Sequence, residues 1–214
     1  MNANDYFSIL QGALLTVSLS IVSLIIGIPL GLGLALIRWA KLPLLKDLAH
    51  VYVNLIRSCP TVTLVLLIYY ALPEFGVSLN PLPAAVLALT LSTTAFNCEV
   101  WRSALVEFPK DQLDAAYALG LNQINRMRLI VFPQIWRASL PGLFNEITLQ
   151  IKSTPAVAVI GIVEITRAAL RVGSNTYEPL PPFIFALLIY SAIVFVFLKL
   201  QKYFELQMKE KGYL

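Results

Sequence analysis

The chain has 214 residues, of which 58% are hydrophobic and only 13% charged, with a mean hydropathy of +0.75. This is far too apolar for a soluble globular domain, and several runs approach the roughly 20 residues that cross a bilayer as helix, so the sequence describes a single all-α polytopic membrane domain over 1–214. The net charge of +4 does not point to nucleic acid, because the basic residues form no stripe with interleaved aromatics and instead cluster beside the apolar runs.

The N-terminal MNANDYFSILQG lacks the basic start of a cleaved signal, so the first apolar run, 14–37, is expected to stay as a span. Within it, IIGIPLGLGLAL sets Gly27 and Gly31 four apart, a spacing that lets helix backbones approach, with Pro29 between them and Gly33 after. Further spans fall at 55–72, 84–105, one within 135–170, and 183–200. As one helix, the stretch from Pro133 to Arg171 would run about 55 Å against a hydrocarbon core of about 30 Å. Pro141 and Pro155 are expected to break it, leaving one crossing and one shorter helix. Pro60 reads as a kink in the second span.

Charge orients these five spans. Arg38, Lys41 and Lys46 follow the first, Arg102, Lys110, Arg126 and Arg128 flank or fill the loop after the third, and Lys199, Lys202, Lys209 and Lys211 follow the fifth. The alternate segments 73–83 and 172–182 contain no lysine or arginine. The positive-inside bias then sets the N-terminus outside and the C-terminus in the cytoplasm. Arg167 and Arg171 are the exceptions, read as the end of a short helix on the outer side. Cys59, Cys98 and the lone His50 form neither a disulfide framework nor a metal-ligand set.

The cytoplasmic loop between the third and fourth spans, 109–128, reads as ordered. Asp111 after Pro109 is placed to cap a helix, Asp114 adds negative charge to its first turn, and Gly120 ends it in a left-handed cap. Leu113, Ala116 and Tyr117 share one face, Ala115 and Ala118 keep the flanks slim, and a second helix begins near Asn122. Periodicity alone leaves two readings open: a helix that docks a partner, or an interfacial helix that covers its own bundle.

The residues Asp114-Ala115-Ala116, then three residues, Gly120, and nine more before Ile130-Val131-Phe132-Pro133 resemble the E-A-A-x-x-x-G…I-x-L-P loop of permease subunits of binding-protein-dependent ABC importers. Asp114 replaces the usual glutamate and Phe132 the leucine. The resemblance extends to the polar amino-acid branch: Arg57-Ser58-Cys59-Pro60 stands for R-G-T-P, Ala95-Phe96-Asn97-Cys98-Glu99 is similar to A-Y-x-A-E, and Lys152-Ser153-Thr154 stands for K-D-T. The stretch from Val159 to Arg167 is also similar. Ser58, Cys59, Ser153 and Pro155 depart from the branch, so its substrate identities do not carry over.

What the resemblance implies is a type I ABC importer permease fold whose coupling helix, with Asp114, Ala115, Ala116, Tyr117 and Gly120, lies in a cleft of a separate cytoplasmic ATPase. It also implies a second permease subunit, like or related, an extracytoplasmic binding protein, and a bacterial cytoplasmic membrane location among lipid. ATP and magnesium would belong to the ATPase chain, since no G-x-x-x-x-G-K-[ST] loop occurs here, nor any H-E-x-x-H or serine elbow, and no cofactor is expected on this chain.

Four ionisable residues within or beside spans are candidates for the transport path, because such charges are costly in lipid and tend to face the bundle interior: Glu99, Glu146, Lys152 and Glu164. Glu146 and Lys152 are six apart, so they line one cavity only if their helix bends; together they would suit a zwitterionic amino acid. The competing explanation for each is a charge paired merely to survive in the membrane. A secondary transporter or channel would use the same charges without ATP, but has no need of the acidic-alanine loop. A purely organising membrane subunit would tolerate loss of both Glu146 and Lys152.

Overall fold

The computed structural model describes residues 2–40 and 42–210, with side chains to 208 at the C-terminal end, and the described residues fold as helices. Lys41 and Lys211, and the side chain of Lys209, which help to orient the chain by charge, therefore lie outside the described residues. The elements are α1 (Ala3–Trp39), α2 (Leu45–Ser58), α3 (Thr61–Ala71), α4 (Pro81–Val106), α5 (Lys110–Ala118), α6 (Gln123–Arg126), α7 (Phe132–Ser153), α8 (Ile165–Thr176) and α9 (Leu180–Glu210).

Among the described residues, α1, α4 and α9 are long and apolar enough to cross a membrane, and α2 with α3 makes a fourth, broken candidate. The expected second span, 55–72, is not one helix. It straddles a 110° bend between α2 and the helical stretch after it. Pro60 causes the break: its ring disfavours helix at the preceding residue, and Cys59 is extended at φ −91°, ψ 127°. α7 is long enough to cross, at about 33 Å, but carries Arg137, Glu146 and Lys152.

α1 and α4 form the central pair, and small residues set their separation. A Cβ on Gly31 would lie 2.9 Å from the Cys98 amide nitrogen and 3.0 Å from the Thr94 carbonyl oxygen, and one on Gly27 would lie 2.6 Å from Thr93 Cγ2. The four-residue spacing is thus a packing device, as its sequence indicates. Gly33 faces open space, with nothing within 4 Å. Gly31→Ala is expected to cost about 1–3 kcal/mol by forcing backbone apart. Gly33→Ala should be neutral or stabilise by up to about 1 kcal/mol, the helix propensity difference. Thermal unfolding of the two purified variants in one detergent checks the contrast.

The long region after the loop resolves differently from expectation at one of its two prolines. Pro141 lies inside α7 without ending it, an accommodation that neighbouring helices allow at membrane depth. Pro155 opens a 3₁₀ stretch, Thr154–Ile160, and so marks where α7 stops. Gly161 then turns the chain at φ +99°, and the shorter helix expected here is α8. Arg167 and Arg171 fall in its first and middle turns rather than at its end, and Arg167 Nη1 donates to the Ala158 carbonyl.

Candidate functional site

Two places on the fold carry the candidate residues: the α5 loop and a polar cavity between α4 and α7. In the loop, Pro109 rather than Asp111 precedes the helix, so Asp111 supplies the first-turn charge that sequence reading gave to Asp114. Proline fits there because its own N–H is not needed at a helix start. The C-terminal end is a Schellman motif: Leu121 N–H donates to the Ala116 carbonyl at 3.2 Å and Gly120 N–H to that of Tyr117 at 2.9 Å. Gly120 has φ +72°, where a side chain would strain.

Exposure divides the loop candidates. Ala116 is 2% exposed, while Asp114, Ala115, Tyr117, Ala118 and Gly120 are open. Leu113 packs partly against the core that holds Trp101 and Ile135. Two polar contacts tie α5 to the chain beyond it. Gln134 Nε2 on α7 donates to Gln112 Oε1 at 2.8 Å, and the Arg126 guanidinium lies 5.3 Å from the Tyr117 ring centroid. Asn122 caps α6 by accepting from Asn125 N–H at 2.8 Å. A five-residue π-helical turn, Met127–Val131, then leads into α7.

The cavity has a volume of about 210 Å³ and is walled by Ser92, Thr93, Phe96 and Asn97 of α4 and by Glu146, Leu149 and Gln150 of α7, with Thr61 and Ser153 at its margins. Its polar atoms are unusually underused. Thr93 Oγ1, Asn97 Oδ1 and Gln150 Nε2 are buried without a hydrogen-bond partner among the described residues, although Asn97 Nδ2 donates to the Thr93 carbonyl at 2.8 Å. Buried polar atoms are ordinarily satisfied, so orphans converging on one cavity mark a place for a polar guest. Glu146, half-buried, is the one charged group of the lining; it makes no hydrogen bond or ion pair among the described residues, but Arg57 is near enough to act on it electrostatically.

Lys152 does not join it. Six residues of regular helix turn about 600°, leaving the two side chains about 120° apart, and α7 stays unbroken past both positions. Lys152 instead borders a groove with Tyr190, Ser191 and Val194 of α9. The shared zwitterion cavity expected of Glu146 and Lys152 is therefore not formed within the chain.

Glu99 is the hub of an ion cluster rather than a free cavity charge. Its carboxylate accepts from Arg38 Nη1, from Arg102 Nε at 2.9 Å and Nη2 at 2.8 Å, and has Arg57 Nη1 at 3.9 Å. Arg38 Nη2 is also 3.2 Å from His50 Nδ1. Glu164 is fully buried and caps α8, accepting from Thr166 N–H at 2.9 Å, Arg167 N–H at 2.7 Å and the Tyr190 hydroxyl at 2.8 Å. Of the four path candidates, only Glu146 faces the cavity.

Residues 27–210 match the family described as the binding-protein-dependent transport system inner membrane component. The chain belongs to that family. This permease is 38% identical over 191 residues to the nopaline transport system permease protein NocM of Agrobacterium fabrum, covering 85% of this chain and 79% of NocM. It is 32% identical to the arginine transport system permease protein ArtQ of Bacillus subtilis, covering 94% of this chain and 92% of that one.

Among solved structures, the crystal structure of an amino acid ABC transporter with histidines superposes with a TM-score of 0.87 at 32% identity, covering 94% of each chain. The MetNI methionine ABC transporter, inward facing, gives 0.70 at 20% identity, covering 95% of this chain and 99% of that one, a likeness of fold. The permease therefore has the type I ABC importer permease fold and is a multi-pass inner-membrane protein.

Sequence reading missed the α4 wall of the permease cavity. The signal was present: Ser92-Thr93-Thr94-Ala95-Phe96-Asn97 puts four hydroxyl or amide side chains into six residues of an apolar span, where each must find a partner.

Proposed function

We propose that this permease moves polar amino acids inward by alternating access, in partnership with a second permease subunit, a cytoplasmic ATPase docked on α5 and an extracytoplasmic binding protein. The observation that carries the substrate class is the unsatisfied cavity: Glu146 supplies a carboxylate for an ammonium or other cationic group, and Gln150, Asn97 and Thr93 supply neutral hydrogen-bonding atoms around it. The names of the relatives, transporters of nopaline and arginine among them, support the same class. Glu146 is the one charged residue of the lining, and Arg57 acts on it from beside Phe96, so a substrate's cationic group would meet Glu146 with a guanidinium close by.

Coupling follows from connectivity. α5 is tied through Gln112 and Gln134 to the first turns of α7, and α7 carries Glu146 and Gln150. ATP-driven closure of two nucleotidases would draw the α5 helices together, and a rigid α7 would carry that displacement to the cavity. The two conformations must hold the delivered amino acid with unequal affinity, or closure would transport nothing.

Proteoliposomes containing the permease, its ATPase and its binding protein test this with labelled amino acids. Uptake is expected to require ATP, and Glu146→Gln is expected to reduce uptake of the best substrate about tenfold or more, the effect of losing one charged hydrogen bond, with ATPase association intact. Uptake that follows an ion gradient without ATP would instead assign the chain to secondary transport.

A further inference from the structure

We propose that the groove between the C-terminal end of α1 and the α6–α7 junction is a binding site for an anionic phospholipid of the leaflet on the α5 side, with an acyl chain in the groove and the headgroup phosphate on Arg128. The groove has a volume of about 480 Å³, within the range of sites that hold small amphiphiles. One wall is Leu36 and Trp39 of α1, and the other is Ile124, Met127 and Phe132. Arg128 is the one charged residue in the lining, and it makes no hydrogen bond or ion pair with any described residue.

Three features select this occupant. The groove begins where the apolar run of α1 ends, and Trp39 at that position is the residue type that settles at the membrane–water interface. Its chemistry is divided, with a hydrocarbon wall beside one exposed, unpaired guanidinium and no carboxylate, which complements an acyl chain carrying a phosphate and would repel a basic surface. No residue of α5 lines it, so it lies apart from the face offered to the ATPase. Arginine also suits phosphate geometrically, through two parallel N–H donors.

A bound lipid here would bear on transport. Met127 and Arg128 belong to the π-helical turn, and Phe132 is the first residue of α7. The lipid would therefore brace the element that joins the docking loop to the cavity helix.

Native mass spectrometry of the purified full-length permease, titrated with phosphatidylglycerol or phosphatidylcholine of matched acyl chains, tests the assignment. Wild type should retain phosphatidylglycerol preferentially. Arg128→Gln should weaken that preference about fivefold, the effect of one cation facing an anionic leaflet, while leaving phosphatidylcholine unchanged. Ile124→Trp, at a position 74% exposed and so tolerant of size, should fill the groove and weaken both lipids. Quenching of Trp39 by phosphatidylglycerol brominated on its acyl chains, measured against Trp39→Phe, gives an independent reading. Unchanged lipid preference in Arg128→Gln, or unchanged retention in Ile124→Trp, overturns the proposal. Loss of ATPase co-purification in Arg128→Gln with lipid retention intact also overturns it, assigning the groove to a protein partner. Binding of inorganic phosphate that competes away phosphatidylglycerol without any effect of Ile124→Trp would reduce the site to a headgroup contact and overturn it as well.

Discussion

Glu99→Gln is expected to destabilise the permease by about 3 kcal/mol or more, because it removes the carboxylate at the centre of a cluster that holds three guanidinium groups. The glutamine keeps the shape and some hydrogen bonding but cancels none of the positive charge. Burial sets the size of the effect: the Arg38 and Glu99 side chains are 12% and 17% exposed, so neither charge regains full hydration when its partner is lost. Arg38 ends α1, Arg57 ends α2, and Glu99 and Arg102 lie one turn apart on α4, so one carboxylate fastens three helices.

Position within the cluster predicts an internal control. Arg57 is 3.9 Å from the carboxylate and 41% exposed, so Arg57→Met should cost about 1 kcal/mol or less through the ion pair. Its guanidinium also lies 5.4 Å from the Phe96 ring centroid, and Phe96 lines the cavity. Arg57→Met is therefore expected to alter transport more than stability. Arg38→Met should approach the full effect of Glu99→Gln. Thermal unfolding of the three variants in one detergent orders them, and equal shifts for Arg57→Met and Glu99→Gln would show that the cluster is not organised around burial.

What the sequence reveals and what it withholds divide along a physical line. Gly27 and Gly31, the left-handed Gly120 and the start of a second helix near Asn122 are decided by local spacing and backbone conformation, and each is found where the residues indicate. The break at Pro60 is local in cause, but its 110° size depends on how α3 packs against α4, which no short-range pattern reports. An intramembrane charge announces its cost and not its direction. Glu99 meets an arginine 61 positions earlier in the chain, Glu164 meets a tyrosine 26 positions later, and Lys152 turns towards α9. The cavity was hidden for the same reason. Its orphaned atoms lie on two helices separated by the whole α5 loop, and only tertiary packing brings Asn97 opposite Gln150.

Ala115→Trp is expected to abolish ATP-driven uptake, by more than about tenfold, and to remove the ATPase from the purified complex while leaving the unfolding temperature of the permease within a few degrees of wild type. The expectation rests on its pairing with Ala116→Trp. Ala115 is exposed, so a large side chain there costs the permease little and obstructs only what approaches from outside. Ala116 is 2% exposed, and a tryptophan there must displace α5 or the residues that cover it at a cost of about 1–3 kcal/mol or more. Both substitutions stop transport if α5 is the docking element, but only the first does so in a permease that is still folded. Displacing α5 by the second also strains the 2.8 Å contact between Gln112 and Gln134, so it perturbs α7 even without a partner. Full uptake in Ala115→Trp, with Ala116→Trp inactive only in proportion to its instability, would make α5 a cover for its own bundle, and the coupling role would have to move to another exposed element of the loop.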